Sequence, residues 1–242
     1  MKIIQEKNYA VLSRRAAEII LAAVREKPDC VLGLATGSTP IGAYDCLAEA
    51  YREGRATFRH VRTVNLDEYA GLGADDPQSY RYFMEKHLFS RIDVQRENTH
   101  IPNGLAESPA MECRRYDALC EALGGIDLQL LGIGENGHIG FNEPAQALDV
   151  HTHTVTLAES TRLANSRNFK SLDDVPRSAL TLGMGGIMWA KRILLLASGE
   201  QKREALQKAV SGKVDPEVPA SFLQLHPDVT VICDFDLNCA EL

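Results

Sequence analysis

Short apolar runs alternate with longer amphipathic spans along almost the whole chain, and this alternation constrains the fold more than any other feature. Runs at 2–5, 30–35, 61–66, 126–133, 152–157, 193–197 and 229–233 have the length of strands and are rich in Val, Ile and Leu. Between them lie spans with helical spacing. Residues 8–26 place Leu12, Ala16, Ile19, Ile20 and Ala23 on one face and basic residues on the other. Further helices are expected from Pro40 to about 52, over 79–89, 109–123 and 200–210. Ser38 or Thr39 can cap the second helix, with Pro40 at its first position and Gly54 past its end. Strands alternating with helices predict an α/β fold, a Rossmann-like doubly wound, mostly parallel open sheet with helices on both faces. The 242 residues fit one large α/β domain or two small ones, and no internal repeat, low-complexity tract or linker divides them.

In such sheets ligands bind beyond the carboxyl ends of the strands, and one strand end stands out. The run 126–133 stops in glycines at 132, 134, 137 and 140, and Glu135, Asn136, His138, Asn142 and Glu143 are packed among them. A plain glycine turn explains the glycines but not the polar groups. Gly132, Gly134 and Gly137 also match G-x-G-x-x-G, the dinucleotide fingerprint. That reading requires a helix to open there, and Gly140, Asn142 and Pro144 follow too closely for one to start.

Composition removes several function classes. Net charge is −7 with no basic stripe, so nucleic acid is not an expected partner. An anionic substrate would need local Lys or Arg groups. Cysteines at 30, 46, 113, 120, 233 and 239 form no C-x-x-C or zinc spacing, and reduced buried thiols fit a reducing compartment. The N-terminus reads without a secretory signal and no apolar stretch approaches a membrane span, so a cytoplasmic location is expected.

Four groups could do chemistry. Thr36, Gly37, Ser38 and Thr39 join a strand to a helix, where free N–H groups and the helix dipole favour an anion. This is not a P-loop, because no Gly-Lys-Ser/Thr ends it, and a simple helix cap is the plain alternative. Asp67 and Glu68 end the run 61–66, where a carboxylate is a candidate general base; spacing cannot rank the two acids. His138 and Glu143 lie on a loop without H-E-x-x-H spacing, so proton transfer fits better than metal binding. Arg167 and Lys202 are candidate phosphate clamps, with a solvated surface role as the default for lone basic residues. Residues 158–178 have no period and read equally as a lid or as surface helix and loop.

Together these pieces resemble the glucosamine-6-phosphate deaminase (isomerase) family. The matching strings are LATGSTP at 34–40, NLDEY at 65–69, LGIGENGHIGFNEP at 131–144, NSR at 165–167, SGEQK at 198–202 and LQLHP at 223–227. They occur in family order across nearly the whole chain, and GHIGFNEP is the specific one. The resemblance implies one domain over 1–242 that turns glucosamine 6-phosphate into fructose 6-phosphate and ammonia. It implies Asp67 as the base moving the C2 proton to C1. It implies His138 for ring opening, with Asn136 and Glu143 orienting it. The substrate phosphate would sit on residues 36–39 with Arg167 and Lys202, and Glu68 and Gly134 would line the substrate. No metal or organic cofactor is expected, because the substrate carries its own electron sink.

Two positions depart from the family pattern. Position 136 is Asn where many members carry Asp; an amide can orient His138 but cannot stabilise an imidazolium as a carboxylate does. Residues 145–155 hold no Lys or Arg, whereas allosterically regulated members carry basic residues there. No such activation is expected, and a monomer or small homo-oligomer follows. The rival readings are a 6-phosphogluconolactonase-like hydrolase and a non-enzymatic sugar-phosphate sensor. Against the sensor, no helix-turn-helix extension precedes the sheet and the acid–base set would be surplus.

Overall fold

The apolar runs pair side by side. The structure is a computed structural model and describes residues 1–157, 162–163, 169 and 171–237. In chain order the strands are β1 (Lys2–Gln5), β2 (Val31–Leu34), β3 (Arg62–Asn65), β4 (Asp67–Tyr69), β5 (Thr99–His100) and β6 (Leu128–Gly132). They continue with β7 (His153–Thr156), β8 (Ser178–Thr181), β9 (Ile193–Ala197) and β10 (Val229–Cys233). Seven of them form one sheet in the order β1-β10-β9-β6-β2-β3-β5, and every pairing in it is parallel. The chain winds outward from β2 through β3 to β5 and, on the other side, from β6 through β9 to β10. The switch point therefore lies between β2 and β6, which pair at Leu32 with Leu128 and Gly33 with Gln129.

Helices α1 (Tyr9–Glu26), α2 (Ile41–Arg52), α3 (Tyr80–His87), α4 (Pro109–Ala122), α5 (Met184–Met188) and α6 (Arg203–Ala209) surround the sheet. Asn8 caps α1 by accepting the Val11 N–H at 3.1 Å. The alternation of side chains along each strand splits the core in two. Leu194 and Leu196 of β9 pack with Leu12, Ile20, Tyr44 and Leu47 of α1 and α2. Ile193 and Leu195 pack on the opposite face with Tyr116 of α4, Ile187 of α5 and Leu206 of α6. Burial on both faces explains why these strands read as unbroken apolar runs.

A second sheet is not evident from the sequence. β4, β8 and β7 form an antiparallel ribbon in that order, with Asp67 opposite Thr181 and Glu68 opposite Leu180. The chain enters it through a single residue. Leu66 donates its N–H to Leu34 in the large sheet (3.2 Å) and accepts the Leu182 N–H beside the small one (2.7 Å). Among the described residues no helix is long and apolar enough to cross a membrane. Among the described residues Cys30, Cys46, Cys113, Cys120 and Cys233 form no disulfide, and all but Cys46 are buried.

Candidate active site

Two loops leave the adjacent strands β2 and β6 at the switch point. In the first, residues 36–39, Gly37 takes φ 99°, a conformation that suits glycine. The expected cap from Ser38 or Thr39 is not made, because Pro40 itself takes the cap position, with helical φ −76° and ψ −12° and no polar side chain. α2 starts with the Tyr44 N–H bonded to the Pro40 carbonyl at 3.0 Å. The Ser38 and Thr39 hydroxyls are thus not used in capping α2. A side chain distant in sequence takes over that job. The Tyr9 phenol accepts the Gly42 N–H at 2.8 Å and donates to the Ser38 carbonyl at 3.1 Å.

The second loop, 133–144, folds on itself. The Gly134 N–H bonds the His138 carbonyl at 2.9 Å and the Gly137 N–H bonds the Gly134 carbonyl at 3.1 Å. The His138 ring lies directly over Gly134, where any Cβ would fall 2.3 Å from ring atoms. Gly134 therefore makes room for the imidazole, and its N–H is spent inside the loop.

His138 is the end of a short polar relay. Asn136 Nδ2 donates to Glu143 Oε2 at 2.7 Å. Asn136 Oδ1 receives the His138 backbone N–H at 3.2 Å and lies 2.6 Å from His138 Nδ1. The backbone N–H can only donate, so the oxygen end of the amide must face His138. An acceptor at Nδ1 in turn requires Nδ1–H, which leaves the Nε2 lone pair to accept a proton. The Glu143 carboxylate also lies 3.5 Å from Nδ1, and the His138 and Glu143 side chains are only 24% and 14% exposed.

Asp67 reaches the same crevice from the small sheet. A side chain at Gly140 would come within 3.7 Å of Asp67 Oδ2 and 3.0 Å of Thr181 Oγ1, so the carboxylate faces the loop two residues beyond His138. Asp67 is buried, and among the described residues no hydrogen-bond donor is set against its carboxylate. Burial, with the neighbouring Glu68 charge, pushes its pKa up to about 8.

Glu68 points to the other face of the strand and is spoken for. Its carboxylate accepts the N–H groups of Tyr69 (2.8 Å), Tyr80 (2.9 Å) and Arg81 (2.9 Å). Burial raises its pKa to about 7 while those N–H donors pull it down. It ties the start of α3 to β4, whereas Asp67 has its proton-accepting oxygens to spare.

Sequence reasoning missed Tyr80 and Tyr69. Tyr80 is half-buried, with its phenol against Thr36 on one side and the Tyr69 phenol on the other, within reach of the Asp67 charge. Its ring stacks on Phe141 of the His138 loop with centroids 6.0 Å apart. The aromatic pair thus fills the space between the 36–39 loop, β4 and the His138 loop. The helix expected over 79–89 gave no sign of what Tyr80 touches; in the structure Ser79 caps that helix by accepting the Tyr82 N–H at 3.1 Å.

Lys202 closes a third strand end, in the turn Glu200–Lys202 after β9, and β9 lies beside β6. That turn is pinned by Asp234, which accepts the Ser198 hydroxyl at 2.6 Å and the Gly199 N–H at 2.8 Å. Arg167 lies outside the described residues, as do 158–161, 164–166, 168 and 170 of the segment that reads equally as a lid or as surface helix and loop. Among the described residues no three His, Cys, Asp or Glu side chains gather as metal ligands.

The switch-point crevice, with a poised carboxylate and a tautomer-fixed imidazole, defines a doubly wound α/β enzyme built for acid–base chemistry on a small ligand. The chain belongs to the glucosamine-6-phosphate isomerases/6-phosphogluconolactonase family, whose model matches residues 5–232. It is 55% identical to the glucosamine-6-phosphate deaminase of Thermoanaerobacter pseudethanolicus over 97% of this chain and 92% of that one. It is 56% identical to the glucosamine-6-phosphate deaminase of Lachnoclostridium phytofermentans over 98% of this chain and 100% of that one. A solved structure described as a monomeric glucosamine-6-phosphate deaminase superposes with a TM-score of 0.96 at 49% identity, covering 100% of both chains. The 6-phosphogluconolactonase of Trypanosoma cruzi shares the fold, with a TM-score of 0.77 at 20% identity over 96% of this chain and 93% of that one.

Proposed function

We infer that this enzyme converts D-glucosamine 6-phosphate and water into D-fructose 6-phosphate and ammonia, a step of amino-sugar breakdown. The observation that carries the reading is Asp67, a buried carboxylate with a raised pKa facing the loop that orients His138. A proton on a carbon next to C1 is abstracted best by a base whose pKa lies near the working pH.

The roles are those that the family resemblance implies, and the geometry supports them. His138 Nε2 takes the proton of the C1 hydroxyl and returns one to the ring oxygen as the pyranose opens. Glu143 and Asn136 hold the imidazole in the tautomer that can do this. Asp67 then moves the C2 proton to C1 through an enolamine. The resulting C2 imine takes up water and releases ammonia. The phosphate rests on the 36–39 loop with Lys202, and Arg167 joins them on the strength of the family resemblance. A lactone hydrolase on the same fold would have no use for a base at C2.

The enzyme works as a monomer without sugar-phosphate activation. The solved relative described as monomeric supports this. So does the segment that would carry the effector. There Asp117 accepts the Thr152 N–H at 3.1 Å and also its hydroxyl, and His151 Nδ1 lies 3.3 Å from the same carboxylate. A carboxylate at that place disfavours a phosphate. Hyperbolic kinetics, unchanged by N-acetylglucosamine 6-phosphate, are expected; sigmoidal kinetics relieved by that ligand would refute the point. The mostly buried cysteines, which form no disulfide among the described residues, suit a reducing cytoplasm.

The deciding experiment follows ammonia and fructose 6-phosphate release from glucosamine 6-phosphate, for wild type and Asp67→Asn. Stoichiometric release by wild type, reduced by about three orders of magnitude in the variant, fits removal of a general base. Hydrolysis of 6-phosphogluconolactone without ammonia release from the amino sugar would overturn the reading.

A further inference from the structure

We propose that the Tyr9 hydroxyl is a positioning residue for the sugar-phosphate site, holding the 36–39 loop in its anion-receiving shape from the side of the loop away from substrate. The proposal rests on the reading that this loop receives the phosphate. Tyr9 opens α1 and reaches across to the start of α2. Its oxygen makes two bonds at once, donating to the Ser38 carbonyl at 3.1 Å and accepting the Gly42 N–H at 2.8 Å.

The need for it arises locally. α2 has no side-chain cap of its own, since Pro40 occupies the cap position. A helix start without a cap leaves N–H groups that would draw Ser38 or Thr39 back onto the backbone. Tyr9 satisfies the second N–H of the helix from outside and fixes the Ser38 carbonyl at the same time. Among the described residues that carbonyl is otherwise held by a long 3.4 Å bond from the Ile41 N–H. The fit is close: a Cβ at Gly42 would fall 3.0 Å from the Tyr9 oxygen and 2.3 Å from Ser13 Oγ, so only glycine lets α1 approach. With the helix start served by Tyr9, the Ser38 and Thr39 hydroxyls and the remaining N–H groups are left to the ligand. Tyr9 touches no substrate in this arrangement; it acts through the backbone of Ser38.

The test is Tyr9→Phe, which keeps the ring and removes one oxygen. Wild type and variant are compared for kcat, KM, competitive inhibition by inorganic phosphate and thermal midpoint. KM and the phosphate inhibition constant should rise together by about threefold to tenfold, the worth of one hydrogen bond, with kcat within about twofold. A KM and an inhibition constant both unchanged would overturn the proposal, including the case in which only the thermal midpoint falls and Tyr9 merely packs α1 on α2. The double variant Ser38→Ala, Thr39→Val separates the two layers of the argument. If it raises KM and the phosphate constant while Tyr9→Phe does not, only the Tyr9 proposal fails. If neither variant moves them, the phosphate does not sit on this loop and both readings fail.

Discussion

Asp67 carries opposite consequences for activity and for stability. Its carboxyl is held at about 8 in the fold against an ordinary 3.8. As a base it must be ionised, so kcat/KM should climb as pH rises toward about 8 and level off above it. For stability the sign reverses. Between 3.8 and about 8 the folded protein keeps a proton that the unfolded chain releases, so stability falls as pH rises through that window. Asp67→Asn, neutral at every pH, removes the penalty. Its thermal midpoint should exceed wild type near pH 8, by the equivalent of a few kcal/mol, with the gap closing toward pH 4. A midpoint below wild type at pH 8 would mean that the carboxylate is paired, not stranded. Gly134 makes the complementary case. Alanine there would meet the His138 ring at 2.3 Å, so Gly134→Ala should lower kcat by about one to two orders of magnitude through displaced imidazole, measured at saturating substrate. His138, Asn136 and Glu143 were legible in sequence because one loop carries all three. Tyr9 and Tyr80 were not, because their partners lie far off in sequence: Tyr9 bonds residues 29 and 33 positions away, and Tyr80 sits against Thr36.

At the scale of elements, β4 is what the sequence hid. Three residues are too few to show a period, so Asp67, Glu68 and Tyr69 read as the tail of the preceding strand. β8 escaped for a similar reason. Its four residues, Ser178–Thr181, are mostly small or polar and not visibly alternating. The consequence is a division of labour between two adjacent acids that spacing could not rank. Side chains alternate along a strand, so Asp67 and Glu68 face opposite ways. Glu68 serves α3, whose first N–H groups it receives. Glu68→Gln keeps the shape but turns an NH2 toward an N–H donor. Near pH 4 it should cost about 1–3 kcal/mol in urea denaturation, and the gap should narrow as pH rises toward 7, because the raised pKa of Glu68 makes wild type lose stability through that window. Its loss of kcat should remain well short of that of Asp67→Asn. Equal losses would make Glu68 a partner in catalysis.

The whole molecule is tied at its far edge by another carboxylate. Asp127 lies where β6 begins, opposite the crevice, and accepts Lys191 Nζ at 2.7 Å, Lys27 Nζ at 2.8 Å and the Val31 N–H at 2.8 Å. It joins the end of α1 to the starts of β2 and β6 and the approach to β9. Burial pushes its pKa up, but the lysines and the Val31 N–H outweigh it and hold it at about 2. Its contribution is therefore complete above 3.8 and disappears as pH falls through about 2. The lysines are half exposed, so the buried bond to Val31 dominates. Asp127→Asn should cost about 1–2 kcal/mol at neutral pH and leave kcat unchanged, as chemical denaturation and steady-state rates would reveal. At this scale the alternation of runs and helices foretold the parallel sheet, and with it the strand-end edge where the candidate site gathers. It could not foretell the strand order, which depends on contacts between segments far apart.

Leu66 sits at the seam between the two sheets, and its position limits any redesign of the scaffold. Its N–H is committed to one sheet and its carbonyl to the other. The surface loops of such a protein can be lengthened or exchanged at modest cost. Between Asn65 and Asp67 there is no such freedom. One residue more or less would turn Asp67 out of the crevice and swing Glu68 into it, because a strand presents its neighbours to opposite sides. Asp67 stays in the crevice only so long as the count of backbone atoms across that seam is left alone.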